Sequence, residues 1–496
     1  MNTDPARIPV IIGVGQVNDR DCVHDSLALM VTALENADAD AGGGWIAALD
    51  SIAVVNQISF PALGNCAQHL AQHFGIAPQH IEQTPWPTGE SPVQLLNEAA
   101  NRIGAGEIEV AAILGAEALR TAAQRARAAT GETQDALRSV AKSGSPSLMA
   151  QHGLVAPTDL YPLYENATRA AWGQTLTEAQ AESGMIWAGM SRVAVGNPHA
   201  WLQVEQSASA ITSVDADNRP IAFPYQKRMV ANSSVNQGAG FIVTSLARAR
   251  AAGISEERII HVGMGAAAHE THNMLKRDRY DGSSGMTVTL TQTLERNGLS
   301  ASDLDHVELY SCFPCIPKMA RRIIDWPVDR PITAFGGLTF GGGPIGNYMS
   351  HAIASMVDKL RVERGTALLF ANGGYATHNH AIVISAAPMP NARFPHDYDC
   401  NPLADAMRGP VPSVDDPYEG PASIETYTVF YKRDGSPRFG TVIARTPAGA
   451  RVLCRVSAED EAMITFLTDG AGEPVGSHGH TKMAEDGLIH WKGTAS

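Results

Sequence analysis

Short apolar runs that close on glycine alternate with segments of helical period from residue 9 to about residue 387, the pattern of an α/β fold with buried sheets. Two of these runs recur. Pro9-Val10-Ile11-Ile12-Gly13-Val14-Gly15 is matched by Arg258-Ile259-Ile260-His261-Val262-Gly263, 248 residues later counted from Ile11 to Ile259. Val110-Ala111-Ala112-Ile113-Leu114-Gly115 is matched by Thr366-Ala367-Leu368-Leu369-Phe370-Ala371-Asn372-Gly373, with 258 residues between Gly115 and Gly373. Near-equal offsets predict a duplicated half, each a mixed βα unit, although buried strands ending in glycine also arise independently.

The rhythm is lost between Glu117 and Gln226, where Ala-rich helical stretches carry aromatic punctuation at Tyr161, Tyr164, Trp187 and Trp201. An insertion of that length in a compact half is expected to be a lid or substrate-binding subdomain. Eight prolines fall between Pro388 and Ser423, which predicts a linker. Beyond it, positions alternate at Tyr427, Val429 and Tyr431, at Val442 and Ala444, and at Val452, Cys454 and Val456. Turn signals at Arg433-Asp434-Gly435 and Pro447-Ala448-Gly449 complete the pattern of a small antiparallel barrel.

Composition narrows the function classes. The chain has 496 residues, 44% hydrophobic and 18% charged, enough for two or three packed cores and too apolar for a disordered protein. A net charge of −14 with scattered Lys and Arg leaves no footprint for nucleic acid or an anionic membrane, so a phosphate-bearing ligand needs a local basic pocket. Six dispersed cysteines make no disulfide scaffold, and Met1 to Pro9 lacks the pattern of a signal segment, which together predict a cytoplasmic protein. No apolar run approaches the roughly 20 residues of a membrane span.

Two stretches could carry chemistry. In Asp303 to Cys315 a strand runs into a loop bearing Tyr310 and Cys312, the position where α/β folds present reactive groups. Cys312 and Cys315 have redox-pair spacing, but no second Cys or His pair follows, so no metal is expected, and two inert buried thiols are the plain alternative. In Phe335 to His351, six glycines (336, 337, 341, 342, 343, 346) precede a helix and would let a backbone approach an oxyanion or carbonyl. The spacing fits neither a Walker A loop nor a dinucleotide fingerprint.

With these motifs the chain resembles the thiolase superfamily, and within it the thiolase-like proteins of type 1. Gly336-Gly337-Leu338-Thr339-Phe340-Gly341-Gly342-Gly343-Pro344-Ile345-Gly346 keeps the spacing of the thiolase loop that supplies a histidine base, with Gly343 in the histidine's place. Tyr310-Ser311-Cys312-Phe313 looks like the His-Asp-Cys-Phe loop of sterol-carrier-type thiolases, with Tyr for His. Ala371-Asn372-Gly373-Gly374 lacks the cysteine of the Cys-x-Gly loop, and Gly89-Glu90-Ser91-Pro92 aligns with the nucleophile loop without its cysteine.

The resemblance implies a duplicated, five-layered α/β/α/β/α fold plus a small antiparallel barrel of the oligonucleotide/oligosaccharide-binding type. The halves are expected at 1–250, with the insertion at about 117–226, and at 251–387. The linker follows at 388–423 and the barrel at 424–496. It further implies a protein that handles acyl-CoA or CoA as substrate, with no separate cofactor, first of all as an acyltransferase. In that reading Cys312 is the acyl acceptor or acid/base thiol, Tyr310, Tyr348, His351 and His378 are candidate proton carriers, and Gly341, Gly342, Gly343, Asn372, Gly373 and Ser91 shape the oxyanion and substrate environment. A retro-aldolase acting on a β-hydroxyacyl-CoA through Tyr310 or Tyr348 is the second reading, and a non-catalytic thioester-binding scaffold the third. Whether the chain pairs with a second copy stays open, and the barrel is expected to dock on the core.

Overall fold

A computed structural model describes residues 4–130 and 147–493. Its first eleven strands, apart from a short hairpin, build one nine-stranded sheet. They are β1 (Pro9–Asn18), β2 (Ser51–Val54), β3 (His80–Gln83), β4 (Val110–Ala118), β5 (Pro220–Ala222), β6 (Tyr225–Gln226), β7 (Asn236–Ser245), β8 (Ile260–His269), β9 (His306–Leu309), β10 (Thr366–Gly373) and β11 (His378–Ser385). The sheet order is β3-β2-β4-β7-β1-β8-β11-β10-β9. Read outward from the β1–β8 seam, each half repeats the same sequence of neighbours, β1-β7-β4-β2-β3 and β8-β11-β10-β9. The outermost place of the second half is taken by a non-strand segment, where Leu309 N donates to Ile332 O at 3.0 Å. The duplicated runs are therefore equivalent strands, and the first pair forms the seam itself, Val10 opposite His261 and Ile11 opposite Ile260.

Helices give the five layers. Ser26–Asp40 covers the outer face of the first half and Ser284–Asn297 that of the second. Between the halves lie Ser91–Ala105 and Tyr348–Glu363, each touching strands of both. A helix sandwiched this way must be apolar on most of its circumference, and Met349, Ala352, Ile353, Ala354, Met356, Val357 and Leu360 are all fully buried. Strands such as β4, buried along its whole length, read as continuous apolar runs for the same reason.

The tail closes β12 (Gly420–Tyr431), β13 (Pro437–Arg445), β14 (Arg451–Ser457), β15 (His478–Met483) and β16 (Ile489–Gly493) into a five-stranded barrel, with β14 and β16 parallel and β12 pairing β13. This is the expected oligonucleotide/oligosaccharide-type barrel. One feature differs from the sequence reading. The end of the insertion, expected without strands, forms the β5–β6 hairpin, which extends the barrel sheet at Phe430 opposite Ala222. The barrel seats on the insertion helix Pro157–Ala171: Thr426 Oγ1 donates to Leu163 O at 2.5 Å, Asn166 Nδ2 to Tyr427 O at 2.9 Å, and Arg169 pairs with Glu473. The Pro-rich stretch is tied down along the second half, with Ala267 N donating to Tyr398 O and Cys400 N to Ala267 O, both at 2.8 Å. Among the described residues no helix is long and apolar enough to cross a membrane.

Candidate active site

The ends of β8, β9 and β10 and the start of β11 lie at one end of the second-half sheet, facing the start of the central helix Ser91–Ala105. Tyr310 follows β9, Asn372 and Gly373 close β10, His378 opens β11, and Glu90 stands immediately before the helix. Tyr310 adopts φ 36°, a region that bulky side chains avoid, so the loop is held there by its packing. Its ring meets Tyr348 edge-on at 5.6 Å. Behind it, Tyr161 of the insertion stacks on Phe313 at 4.5 Å, and its hydroxyl lies 3.1 Å from Asn372 Oδ1 and 2.9 Å from Gly374 O.

Two glycines make room for this cluster. A Cβ on Gly89 would overlap Tyr310 Oη and the backbone oxygen of Asn372, and one on Gly373 would overlap Glu90 Oε2. Gly89→Ala should therefore destabilise the protein by about 1–3 kcal/mol and displace Tyr310. Chemical denaturation together with Tyr310 ring contacts in a variant structure checks this, and an unshifted ring at wild-type stability would contradict it.

Burial governs the ionisation of the site. The Glu90 carboxyl, 4% exposed, is pushed up to about 7 by desolvation, and its Oε2 has no hydrogen-bond partner. Glu308 is likewise raised to about 7, although Tyr348 Oη donates to its Oε1 at 2.7 Å and Thr333 Oγ1 to its Oε2 at 2.8 Å. Burial holds the Tyr310 and Tyr348 hydroxyls well above the ordinary tyrosine range and pushes the Cys312 thiol up to about 12. His378, in contact with His269 and His272, is lowered to about 4 by burial and then by those neighbours, so it is neutral at pH 7.

Other expected site residues are occupied elsewhere. Gly343 N donates to Asn232 O at 2.8 Å and Gly341 N to Gly336 O at 3.3 Å, so neither amide is free for an oxyanion, while Gly341 O accepts from Trp201 N at 2.8 Å and joins the glycine loop to the insertion. A Cβ on Gly342 would overlap the Gln237 side chain. Ser91 Oγ is 2.8 Å from Thr88 Oγ1 and shapes the start of the helix. His351, fully buried, stacks on Phe335 at 4.9 Å and meets Gln16 Oε1 at 2.8 Å, on the side of the central helix that faces β1. Asn372 Nδ2 donates to Asn379 Oδ1 at 2.9 Å.

Glu90, Glu308, Tyr161 and His269 escaped the sequence reading. The only local signal for Glu90 was an acidic residue at a helix start inside a loop already singled out for its missing cysteine. A further contributor, Lys318, lies on the helix Cys315–Ile323 that follows the Cys312 turn. It is fully buried and donates to Glu165 Oε1 at 2.5 Å and Ala179 O at 2.9 Å, clamping the insertion onto the loop that bears Tyr310. Among the described residues no group of three His, Cys, Asp or Glu is arranged to hold a metal ion.

Comparison with known proteins bears on the fold. Residues 404–486 match the family model for the thiolase-like protein type 1 additional C-terminal domain. A monomeric SCP2-thiolase-like protein type 1 from Mycobacterium smegmatis is 29% identical over 99% of this chain and 100% of its own, with a TM-score of 0.83. The Ltp2–ChsH2(DUF35) aldolase is 18% identical over 77% of this chain and 98% of its own, with a TM-score of 0.58. The human mitochondrial 3-ketoacyl-CoA thiolase in complex with CoA is 15% identical over 77% and 99%, also at 0.58. The last two likenesses are of fold alone. No curated protein matches the sequence.

Proposed function

We propose that the chain, which shares the fold of the thiolases and is similar along its length to an SCP2-thiolase-like protein type 1, takes a coenzyme A thioester and cleaves the bond between the α and β carbons of a β-hydroxyacyl group by a retro-aldol reaction. Glu90 carries the reading: a buried carboxyl raised to about 7, with one oxygen unpartnered, beside the Tyr310 hydroxyl. A general base works best when its pKa lies near the operating pH. Ionised Glu90 takes the β-hydroxyl proton, the Cα–Cβ bond breaks, and its electron pair moves to Cα, leaving an aldehyde or ketone and a thioester enolate. The enolate is basic enough to take the Tyr310 phenolic proton at Cα, and the proton held by Glu90 restores Tyr310, so no proton is gained or lost. The positive end of the helix Ser91–Ala105 favours the negative charge as it develops.

Acyl transfer through Cys312 is less well supported, because it needs a thiolate and burial pushes that thiol up to about 12. The test is a panel of β-hydroxyacyl-CoA esters with trapping of the released carbonyl, run beside a thiolysis assay. Carbonyl release is expected, rising as pH increases through about 7 because the ionised form of Glu90 is the active base. Glu90→Gln should cost about 10²–10⁴-fold in kcat. Turnover that survives Glu90→Gln but is lost in Cys312→Ser would overturn the reading in favour of acyl transfer.

A further inference from the structure

Glu90 is enclosed, and although each turnover returns its proton to Tyr310, reaching the ionised form in which it acts requires exchange of a proton with water. One line of side chains leads outward from it. His378 Nδ1 lies 3.7 Å from Glu90 Oε1 and 3.1 Å from His269 Nδ1, and the His272 ring sits 4.9 Å from that of His378. Exposure rises along the same line: Glu90 is buried, His378 and His269 are half-buried, and His272 is exposed. The spacing is set by the sheet, since His378 is the register partner of both His269 on β8 and Gly373 on β10. A Cβ on Gly373 would overlap Glu90 Oε2, so the glycine is what lets the carboxylate reach this line.

We propose that His378 and His269, opening to solvent beside His272, form a proton relay that connects Glu90 with bulk water. The inference rests on the acid–base reading above, and its residues are positioning residues that act through Glu90. Both contacts of His378 are made by Nδ1, so with its Nε2 protonated that one nitrogen takes the proton from Glu90 and passes the same proton 3.1 Å on to the Nδ1 lone pair of His269, which releases a proton to water from its own Nε2. The charged and titratable groups facing the pair are Asp399, Arg408 and His272 around His269, and His272 and Arg277 around His378. The cationic Arg277 and Arg408 discourage a proton from resting on either ring, which suits transfer rather than storage.

The test does not depend on turnover. A pH jump is followed by time-resolved infrared spectroscopy of the full-length protein, the Glu90 carboxyl band being assigned by its absence in Glu90→Gln. Deprotonation of Glu90 is expected to slow by about a hundredfold or more in His378→Ala, and free imidazole should restore the rate in proportion to its concentration. A purely structural role would not respond to imidazole. His269→Gln should slow the same band, and His378→Gln serves if the alanine variant does not fold. Wild-type rates in these variants, or a slowed rate that imidazole leaves unchanged, would overturn the relay. An intact relay without carbonyl release would instead remove only the retro-aldol reading, and carbonyl release with unaltered infrared rates would remove only the relay.

Discussion

Lys318→Met is expected to destabilise the protein by about 3–5 kcal/mol, because it leaves the Glu165 carboxylate buried without its cation. Lys318 is 0% and Glu165 3% exposed at the side chain, and their 2.5 Å contact has little water to screen it. Among the described residues, the other hydrogen-bond partner of the Glu165 carboxylate is the Tyr225 hydroxyl, a neutral donor at 3.0 Å that cannot balance a charge. The double variant Glu165→Leu, Lys318→Met should recover most of the loss, since replacing both ions by apolar side chains of similar volume is often neutral. Denaturant unfolding of the two single variants and the double variant forms the cycle. Additive losses would show that the pair does not couple. The same substitution reaches the site, because the helix Cys315–Ile323 continues from the turn that holds Tyr310 at positive φ. Loosening it should relax that backbone, so catalytic loss is expected in Lys318→Met and substantial recovery in the double variant.

Why this clamp was invisible in the sequence is a matter of distance along the chain. Lys318 sits among Cys315, Ile316, Pro317 and Met319 with no acidic neighbour, and its partner is 153 residues upstream on a helix of the insertion. The same holds for Glu90, whose burial is imposed by Tyr310, Asn372 and Gly373, all arriving from the other half of the duplicated core. By contrast, the strands of the duplication were legible, because a run buried on both faces is apolar residue after residue and needs no partner to be recognised. The barrel was legible for the complementary reason, since its strands alternate between a packed face and an open one. The β5–β6 hairpin was not, because strands of three and two residues carry no period and gain their place only by pairing with β12. Motif matching pointed to these loops and showed that cysteine and histidine are missing from them, but that Glu90, Tyr310 and Gly373 pack against one another there follows only from the meeting of the two halves.

Arg451→Met should loosen the barrel from the core and turn a single unfolding transition into two. Arg451 stands at the start of β14 with no exposed surface. Its Nε and Nη2 reach Glu425 at 2.8 and 2.7 Å, its Nη1 donates to the carbonyls of Leu275, at 2.9 Å, and Arg277, and its guanidinium lies 4.6 Å from the ring centre of Tyr280. Those carbonyls and that ring belong to the second half of the core, so one side chain fastens the barrel there, in addition to its contacts with the insertion helix, the β5–β6 hairpin and the segment at His152. Methionine fills the volume but offers no donor. Glu425 keeps Arg445 at 2.7 Å, whereas the Leu275 and Arg277 carbonyls are left facing an apolar side chain. Breaking a buried charged network of this kind costs about 3–5 kcal/mol. Arg451→Lys should recover only part of it, because one ammonium cannot fork to a carboxylate and two carbonyls at once. Calorimetry of the full chain reads both effects. A first, smaller transition for the barrel followed by that of the core is the expected result. A single transition at the wild-type midpoint would mean that the contacts with the insertion, through Pro157–Ala171 and the β5–β6 hairpin, hold the barrel without Arg451.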